Sequence, residues 1–340
     1  MFNISNRRFV GSKLKLANWI IESINKNCAG NVFFEVFAGT SIISSQIAAQ
    51  MKRIIINDSL QSNNVIYEAF YRKGTKSQSK LDKYKTKFNN LKINSGSKGW
   101  FAKNYGGKYF GVNDCKTIEA IRGILLKDKK KLTKKEYNIL LASLIYSMDR
   151  IANTVGHFDA YIQKQTADDL FAFDLIQPLD LDKTEVDIYC SDANALAEKV
   201  QADIAYIDPP YNSRQYCQFY HIYETVIKWD NPELSGTALK RKGESLSEYC
   251  RTKAPVVFAD LIKKIKCKYI VVSYNNTYKS KSKSSRNKIK LDEIKKILSE
   301  YGKIKTLSKS HRAFNSGKTD LPDHKEYLFI VKKGSKKSAR

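Results

Sequence analysis

The sequence predicts an α/β fold, a mixed sheet flanked by helices and interrupted by one long insertion. Three observations carry that prediction. Near the N-terminus, residues 31–58 run through an apolar stretch, a glycine turn, a helical pattern and a second apolar stretch, the rhythm of parallel strands joined by a crossover helix. The rhythm returns from residue 187 and closes with further strands, whereas residues 59–186 break it with a block dense in Lys and Arg. At 340 residues and 42% hydrophobic composition, the chain can bury one large domain with a smaller lobe, which excludes wholesale disorder.

Residues 31–37 (NVFFEVF) read as a buried strand ending at Ala38-Gly39. Thr40 is then placed to cap a helix running through Met51, with Ile42, Ile43, Ile47 and Ala48 on one face. Residues 53–56 form the next strand and end at Asn57-Asp58, which completes the first half of a Rossmann-like nucleotide site. Within the insertion, glycine turns at Gly96, Gly99, Gly106 and Gly107 precede a helix over residues 134–151 and a polar segment over 153–163. Beyond it come a strand at 187–190, a helix near 193–200 and a strand at 202–207 that ends on Asp208. A strand at 268–273, an amphipathic helix at 291–301 stopped by Gly302, and an antiparallel pair, 304–307 with 327–331, complete the domain. The expected organisation is a catalytic domain of residues 1–58 and 187–332, an inserted recognition lobe of 59–186 and a basic tail of 333–340.

Sixty Lys and Arg against 34 Asp and Glu leave a formal charge of +26, which favours a polyanionic partner, nucleic acid first. An AT-rich coding sequence accounts for part of the lysine surplus. The six cysteines, Cys28, Cys115, Cys190, Cys217, Cys250 and Cys267, form no C-x-x-C pair, so neither a structural metal site nor a disulfide framework is expected. No run resembles a signal peptide or a bilayer span, so the expected location is the cytoplasm, with no membrane partner.

The chemistry concentrates at Asp208-Pro209-Pro210-Tyr211, directly after a strand, where open α/β sheets place their sites. The exocyclic amine of a nucleobase is a poor nucleophile because its lone pair is delocalised into the ring. A carboxylate and a neighbouring carbonyl can accept its two hydrogens and favour a pyramidal nitrogen. Successive prolines stiffen the loop so that the Pro209 carbonyl can point at the substrate. Tyr211 offers a flat face for an extruded base, and no metal is required.

With these residues in this order, the chain resembles the N6-adenine DNA methyltransferases of bacterial restriction–modification systems, in the α-group arrangement. Phe9-Val10-Gly11-Ser12-Lys13 resembles the family's N-terminal motif, Phe37-Ala38-Gly39-Thr40-Ser41 its cofactor loop, Asn57-Asp58 its acidic motif and Ser191-Asp192-Ala193 its adenine-contacting motif. Val272-Ser273-Tyr274-Asn275 is similar to a further motif lining the target-base pocket. The resemblance implies S-adenosylmethionine as cofactor, within the Rossmann-like mixed sheet of S-adenosylmethionine-dependent methyltransferases. It assigns Phe9, Gly11, Ser12 and Lys13 to the methionine moiety, Phe37, Gly39 and Thr40 to the loop, Asp58 to the ribose and Asp192 to the adenine. The physics agrees: a carboxylate closing the second strand can bridge two hydroxyls, a glycine turn admits close approach, and Lys13 can pair with the methionine carboxylate. Ser41 and Ser12 stand where the family usually has glycine.

Asp208 favours adenine, since the related N4-cytosine enzymes usually carry Ser there, and no cysteine follows a proline as C5-cytosine chemistry needs. Arg214 is expected on a phosphate beside the flipped nucleotide and Tyr216 in the wall of its pocket. In the insertion, Arg150, Asn153 and the Gly156-His157-Phe158 turn are the first candidates for DNA contact. The basic run at 279–290 reads as a mobile loop that orders on the DNA backbone. Expected partners are double-stranded DNA and a cognate restriction endonuclease, with the enzyme acting as a monomer. Rival readings are an N4-cytosine, RNA or protein-glutamine methyltransferase and a catalytically inactive DNA-binding subunit.

Overall fold

The computed structural model describes residues 1–93, 96, 98–163, 166–278, 283–311 and 323–334. Their strands are β1 (Val32–Glu35), β2 (Arg53–Asp58), β3 (Glu185–Cys190), β4 (Ile204–Ile207), β5 (Leu234–Ser235), β6 (Lys240–Arg241), β7 (Tyr269–Asn275), β8 (Ile304–Ser310) and β9 (Lys325–Lys332). The chain folds as two compact units.

The sheet unit comprises Gly11–Ser59, Asp182–Gln215 and Leu246–Arg340. Its seven-stranded sheet runs β3-β2-β1-β4-β7-β9-β8. The first five of these strands are parallel, and β9 is antiparallel to both of its neighbours. The inner strands are apolar on both faces, as a sheet covered on two sides requires: Phe33 and Phe34, Ile204 through Ile207, and Ile270 through Val272 are all buried. Helices Ala254–Lys264 and Leu291–Ser299 press Phe258, Leu261, Ile294 and Leu298 into a core that includes Val272 and Phe329. Chain order reverses between β1 and β4, so the loops leaving their carboxyl ends flank the crevice where α/β sheets bind ligands.

Every expected strand of this sheet forms, with ends shifted by a few residues. The helix after β1 is shorter than expected: it spans Ile42–Ile47, and a 3-10 turn, Ala48–Gln50, replaces its second half. Ser41 rather than Thr40 occupies its N-cap, with no side-chain capping bond.

The helical unit comprises Met1–Val10, Leu60–Leu181 and Tyr216–Ser245. Helix Lys134–Ile151 has the expected bounds and is its buried axis, opened by a capping box between Thr133 and Glu136. Two segments expected in the catalytic domain fold here instead. Met1–Val10 is held because Phe2 donates to the Leu175 carbonyl and accepts from Gln177, while the Arg8 amide donates to Asp149. Helix His221–Lys228 is held because Tyr223 donates to Asp149 and the buried Arg122 guanidinium caps the Val226 and Ile227 carbonyls. None of these long-range partners is visible in local periodicity. No helix among the described residues is long and apolar enough to cross a membrane.

Candidate active site

Strand β4 delivers Asp208 to the carboxyl edge of the sheet, and the loop behind it is pinned by its main chain. The Tyr211 carbonyl accepts the Lys288 amide at 2.7 Å and the Tyr274 hydroxyl at 3.2 Å. Tyr274 is fully buried, its ring centroid 4.4 Å from that of Tyr211. The described part of the basic run, residues 283–290, is therefore folded onto the motif rather than a loose arm, with Ser284 and Ser285 bonded to Ser213 and Arg214. Residues 279–282 lie outside the described residues.

Asp208 sits in a compact polar cluster. The Lys13 ammonium lies 2.8 Å from Asp208 Oδ2 and 3.7 Å from Glu326 Oε1. The Tyr211 hydroxyl is 2.6 Å from both Asp208 Oδ1 and Glu326 Oε1, and Ser273 Oγ donates to that same Glu326 oxygen at 2.6 Å. Burial pushes the Asp208 carboxyl upward; Lys13 pulls it back and Glu326 adds to the rise, with a net elevation. Burial alone would depress Lys13, but the two carboxylates outweigh it and hold the ammonium charged. Burial and the same carboxylates keep Tyr211 a neutral phenol.

Two contacts of this cluster were not read from the sequence. Lys13, expected on a cofactor carboxylate, pairs with Asp208 and lies over the Tyr211 ring, 4.9 Å from its centroid. Glu326 was not singled out from the sequence, yet it is 2% exposed. It is the second residue of β9, the antiparallel strand, and pairs in register with Asn275 at the end of β7. Antiparallel entry brings an N-terminal strand residue to the carboxyl edge of the parallel strands. A glutamate heading an apolar run gives no local sign of that.

The loop after β1 meets the end of β2. Gly39 adopts φ +53°, and its amide donates to Asp58 Oδ2 at 2.9 Å. Ser41 takes the same left-handed region, φ +51°, at a cost of about 1–2 kcal/mol for a residue with a Cβ. Ser12 Oγ lies 3.5 Å from Thr40 Oγ1, which brings the Gly11-Ser12 turn to this loop. The Phe37 ring stands edge-on to Tyr249 at 5.0 Å. Asp192 caps helix Ala193–Ala197 by accepting the Ala195 amide at 2.9 Å.

Beneath the loop, Glu35 is 3% exposed and its Oε2 accepts the Ser44 amide at 3.0 Å. Burial, with the nearby Asp208 and Asp58 charges, pushes its carboxyl up to about 8. An unfolded glutamate loses its proton near pH 4.5, so between that pH and about 8 the folded state holds a proton that the unfolded state lacks. Stability from this group is thus complete in acid and falls as pH rises through that window. Glu35→Gln, which keeps an acceptor for Ser44, should melt higher than the parent at pH 8 and show no advantage at pH 4. Melting curves displaced equally at both pH values would contradict this.

The remaining expected residues are distributed as follows. Arg214 donates from Nη2 to Ser285 Oγ at 3.1 Å. Phe9 belongs to the helical unit, where its ring stacks on Tyr220 at 4.4 Å and on Tyr216 at 5.5 Å with the Arg7 guanidinium above it. Tyr216 opens helix Tyr216–Phe219 and donates to the Val10 carbonyl, so its ring and hydroxyl serve that stack. Arg150 is exposed, its guanidinium over Phe2. The Asn153 amide nitrogen donates to the Lys108 and Ile162 carbonyls, both at 2.9 Å, and so fastens two loops instead of facing outward for base contact. The Gly156-His157-Phe158 turn is likewise internal: His157 stacks on Phe219 at 4.5 Å, and the Phe158 carbonyl accepts the Tyr109 hydroxyl.

The chain is similar to known proteins over most of its length. The family profile described as D12 class N6 adenine-specific DNA methyltransferase matches residues 9–305. The chain is 29% identical to the Type II methyltransferase M.NlaIII of Neisseria lactamica over 350 residues, 96% of this chain and 99% of that protein. It is 29% identical to the Type II methyltransferase M.CviAII of Paramecium bursaria Chlorella virus 1, covering 95% of this chain and 97% of that one. With the Type II methyltransferase M.FokI of Planomicrobium okeanokoites it shares 31% identity over 96% of its own length but spans only 52% of that protein.

Proposed function

Because the chain belongs to the D12 class of N6-adenine-specific DNA methyltransferases, we propose that its methyl donor is S-adenosylmethionine and that Asp208 receives the amine of an adenine turned out of a DNA duplex. The enzyme is a site-specific DNA methyltransferase acting on adenine. The observation that carries the residue assignment is Asp208 itself, a largely enclosed carboxylate at the switch-point edge, beside the Gly39 loop.

The residues present fit the donor. Asp58 closes β2 with a carboxylate placed for ribose hydroxyls, and the left-handed Gly39 lets backbone approach a ligand. Ser12 and Thr40 add hydroxyls to the same loop, Phe37 an aromatic face, and Asp192 a carboxylate beyond β3. When bound, the donor supplies an electrophilic methyl on a sulfonium. Asp208 and the Pro209 carbonyl accept the two amine hydrogens and turn the nitrogen lone pair toward that methyl. Tyr211, kept neutral, presents its ring to the base while its hydroxyl steadies Asp208. Recognition of the surrounding sequence belongs, on this reading, to the helical unit and Arg214, with phosphate contacts from their basic side chains. The Type II relatives point to a restriction endonuclease of the same specificity as the physiological counterpart.

Purified protein, labelled S-adenosylmethionine and plasmid DNA should yield label in N6-methyladenine after digestion to nucleosides. Label in N4-methylcytosine, or transfer to RNA alone, would sink the reading.

A further inference from the structure

We infer that Glu326 is a positioning residue for the proton the substrate amine gives up, receiving it from Asp208 through the Tyr211 hydroxyl. The inference rests on the placement of the amine at Asp208 proposed above. Glu326 lies beyond residues 9–305, where the family profile ends, so it comes from the geometry of this chain alone.

Charge is the first ground. Asp208 and Glu326 share one cation, since among the described residues Lys13 is the ammonium in contact with either. Two carboxylates and one ammonium leave the buried cluster one negative charge in excess. Uptake of a single proton makes it neutral, which a low-dielectric site favours. The methylation releases one proton: as the N–CH3 bond forms and the C–S bond breaks, the nitrogen must lose a hydrogen to regain neutrality.

Connectivity is the second ground. The phenol is 2.6 Å from an oxygen of each carboxylate, so its hydroxyl links them in one chain. A neutral phenol has one hydrogen to donate. If Asp208 takes the amine proton, it can pass it to the tyrosine oxygen while the tyrosine hydrogen moves to Glu326 Oε1. Asp208 is then a carboxylate again, Tyr211 is unchanged and Glu326 holds the proton. No oxidant or further reactant is needed.

The surroundings suit a temporary acceptor. Ser273 on β7 steadies the receiving oxygen, Lys13 stands 3.7 Å from it, and Lys309 of β8 pairs with Glu326 in register. Tyr206 on β4 and His311 after β8 also feel the Glu326 charge. His311 is partly exposed, which gives the proton a side from which solvent can collect it after turnover.

The test is single-turnover transfer by the full chain, preloaded with labelled S-adenosylmethionine, to duplex DNA across pH 6–9. Glu326→Gln should slow transfer about 10- to 100-fold at neutral pH. The donor's dissociation constant and the melting temperature should stay near the parent values, and added imidazole buffer should restore part of the rate. Tyr211→Phe keeps the ring but breaks the chain, so the double variant should be no slower than the slower single variant. The proposal is overturned if Glu326→Gln transfers at the parent rate, if its loss follows weakened donor binding or melting, if buffer gives no rescue, or if the two losses multiply. Parent transfer to adenine in the same assay reports on the reaction, and the ratio of variant to parent reports on Glu326.

Discussion

Asp208→Asn is expected to reduce methyl transfer by at least about a hundredfold, the scale of a lost acid–base partner, while binding of S-adenosylmethionine stays within a few-fold of the parent. The amide keeps the shape of the carboxylate but loses its charge and one of its two acceptor oxygens. It also removes the acceptor on which the Tyr211 hydroxyl and Lys13 converge. Single-turnover label transfer and calorimetric titration of the donor separate the two effects. A fully active variant would remove Asp208 from the chemistry. In the parent, burial raises the Asp208 carboxyl, and only its ionised form can take a proton from the amine. Transfer should therefore fall on the acid side at a pH above the ordinary carboxylate range.

Lys13→Met is expected to cost stability on the order of 3–5 kcal/mol, the penalty for removing one member of a buried ion pair. The Lys13 and Asp208 side chains are 8% and 15% exposed, so little water is available to replace the lost cation. Asp208 and Glu326 would then face each other across the tyrosine hydroxyl with no compensating charge. Without Lys13 the affinity of this pair for protons rises, so the variant binds protons in the folded state that the unfolded chain has already lost. Its stability is preserved in acid and falls as pH rises through the elevated carboxyl pKa. Thermal melts at pH 5.5 and pH 8 should show the gap from the parent widening at the higher pH. A gap of equal size at both values would mean that Lys13 acts through packing of its aliphatic stem alone.

The helix over 134–151 was legible because the signals that set it are local, down to the capping box that the structure shows between Thr133 and Glu136. Strand β4 was legible for the same reason, being a short apolar run that ends on an acidic turn. Domain membership was not. Residues 1–10 and 216–245 carry no local mark of the helical unit; they join it through Asp149, Leu175 and Arg122, residues far along the chain. The bonds of Asn153 were not legible, because an amide in a polar turn looks alike whether it faces outward or fastens its own loops.

The Asp208-Pro209-Pro210-Tyr211 motif, the acidic end of β2 and the glycine turn after β1 were determined by sequence alone, since each is a contiguous signal whose chemistry follows from residue type. What only tertiary structure decided is the company Asp208 keeps. Lys13 reaches it from the N-terminal motif, and Glu326 arrives on an antiparallel strand with Ser273 of β7 bonded to its carboxylate. A buried charge takes its proton affinity from neighbours within a few ångströms, and strand pairing chooses those neighbours from positions hundreds of residues apart.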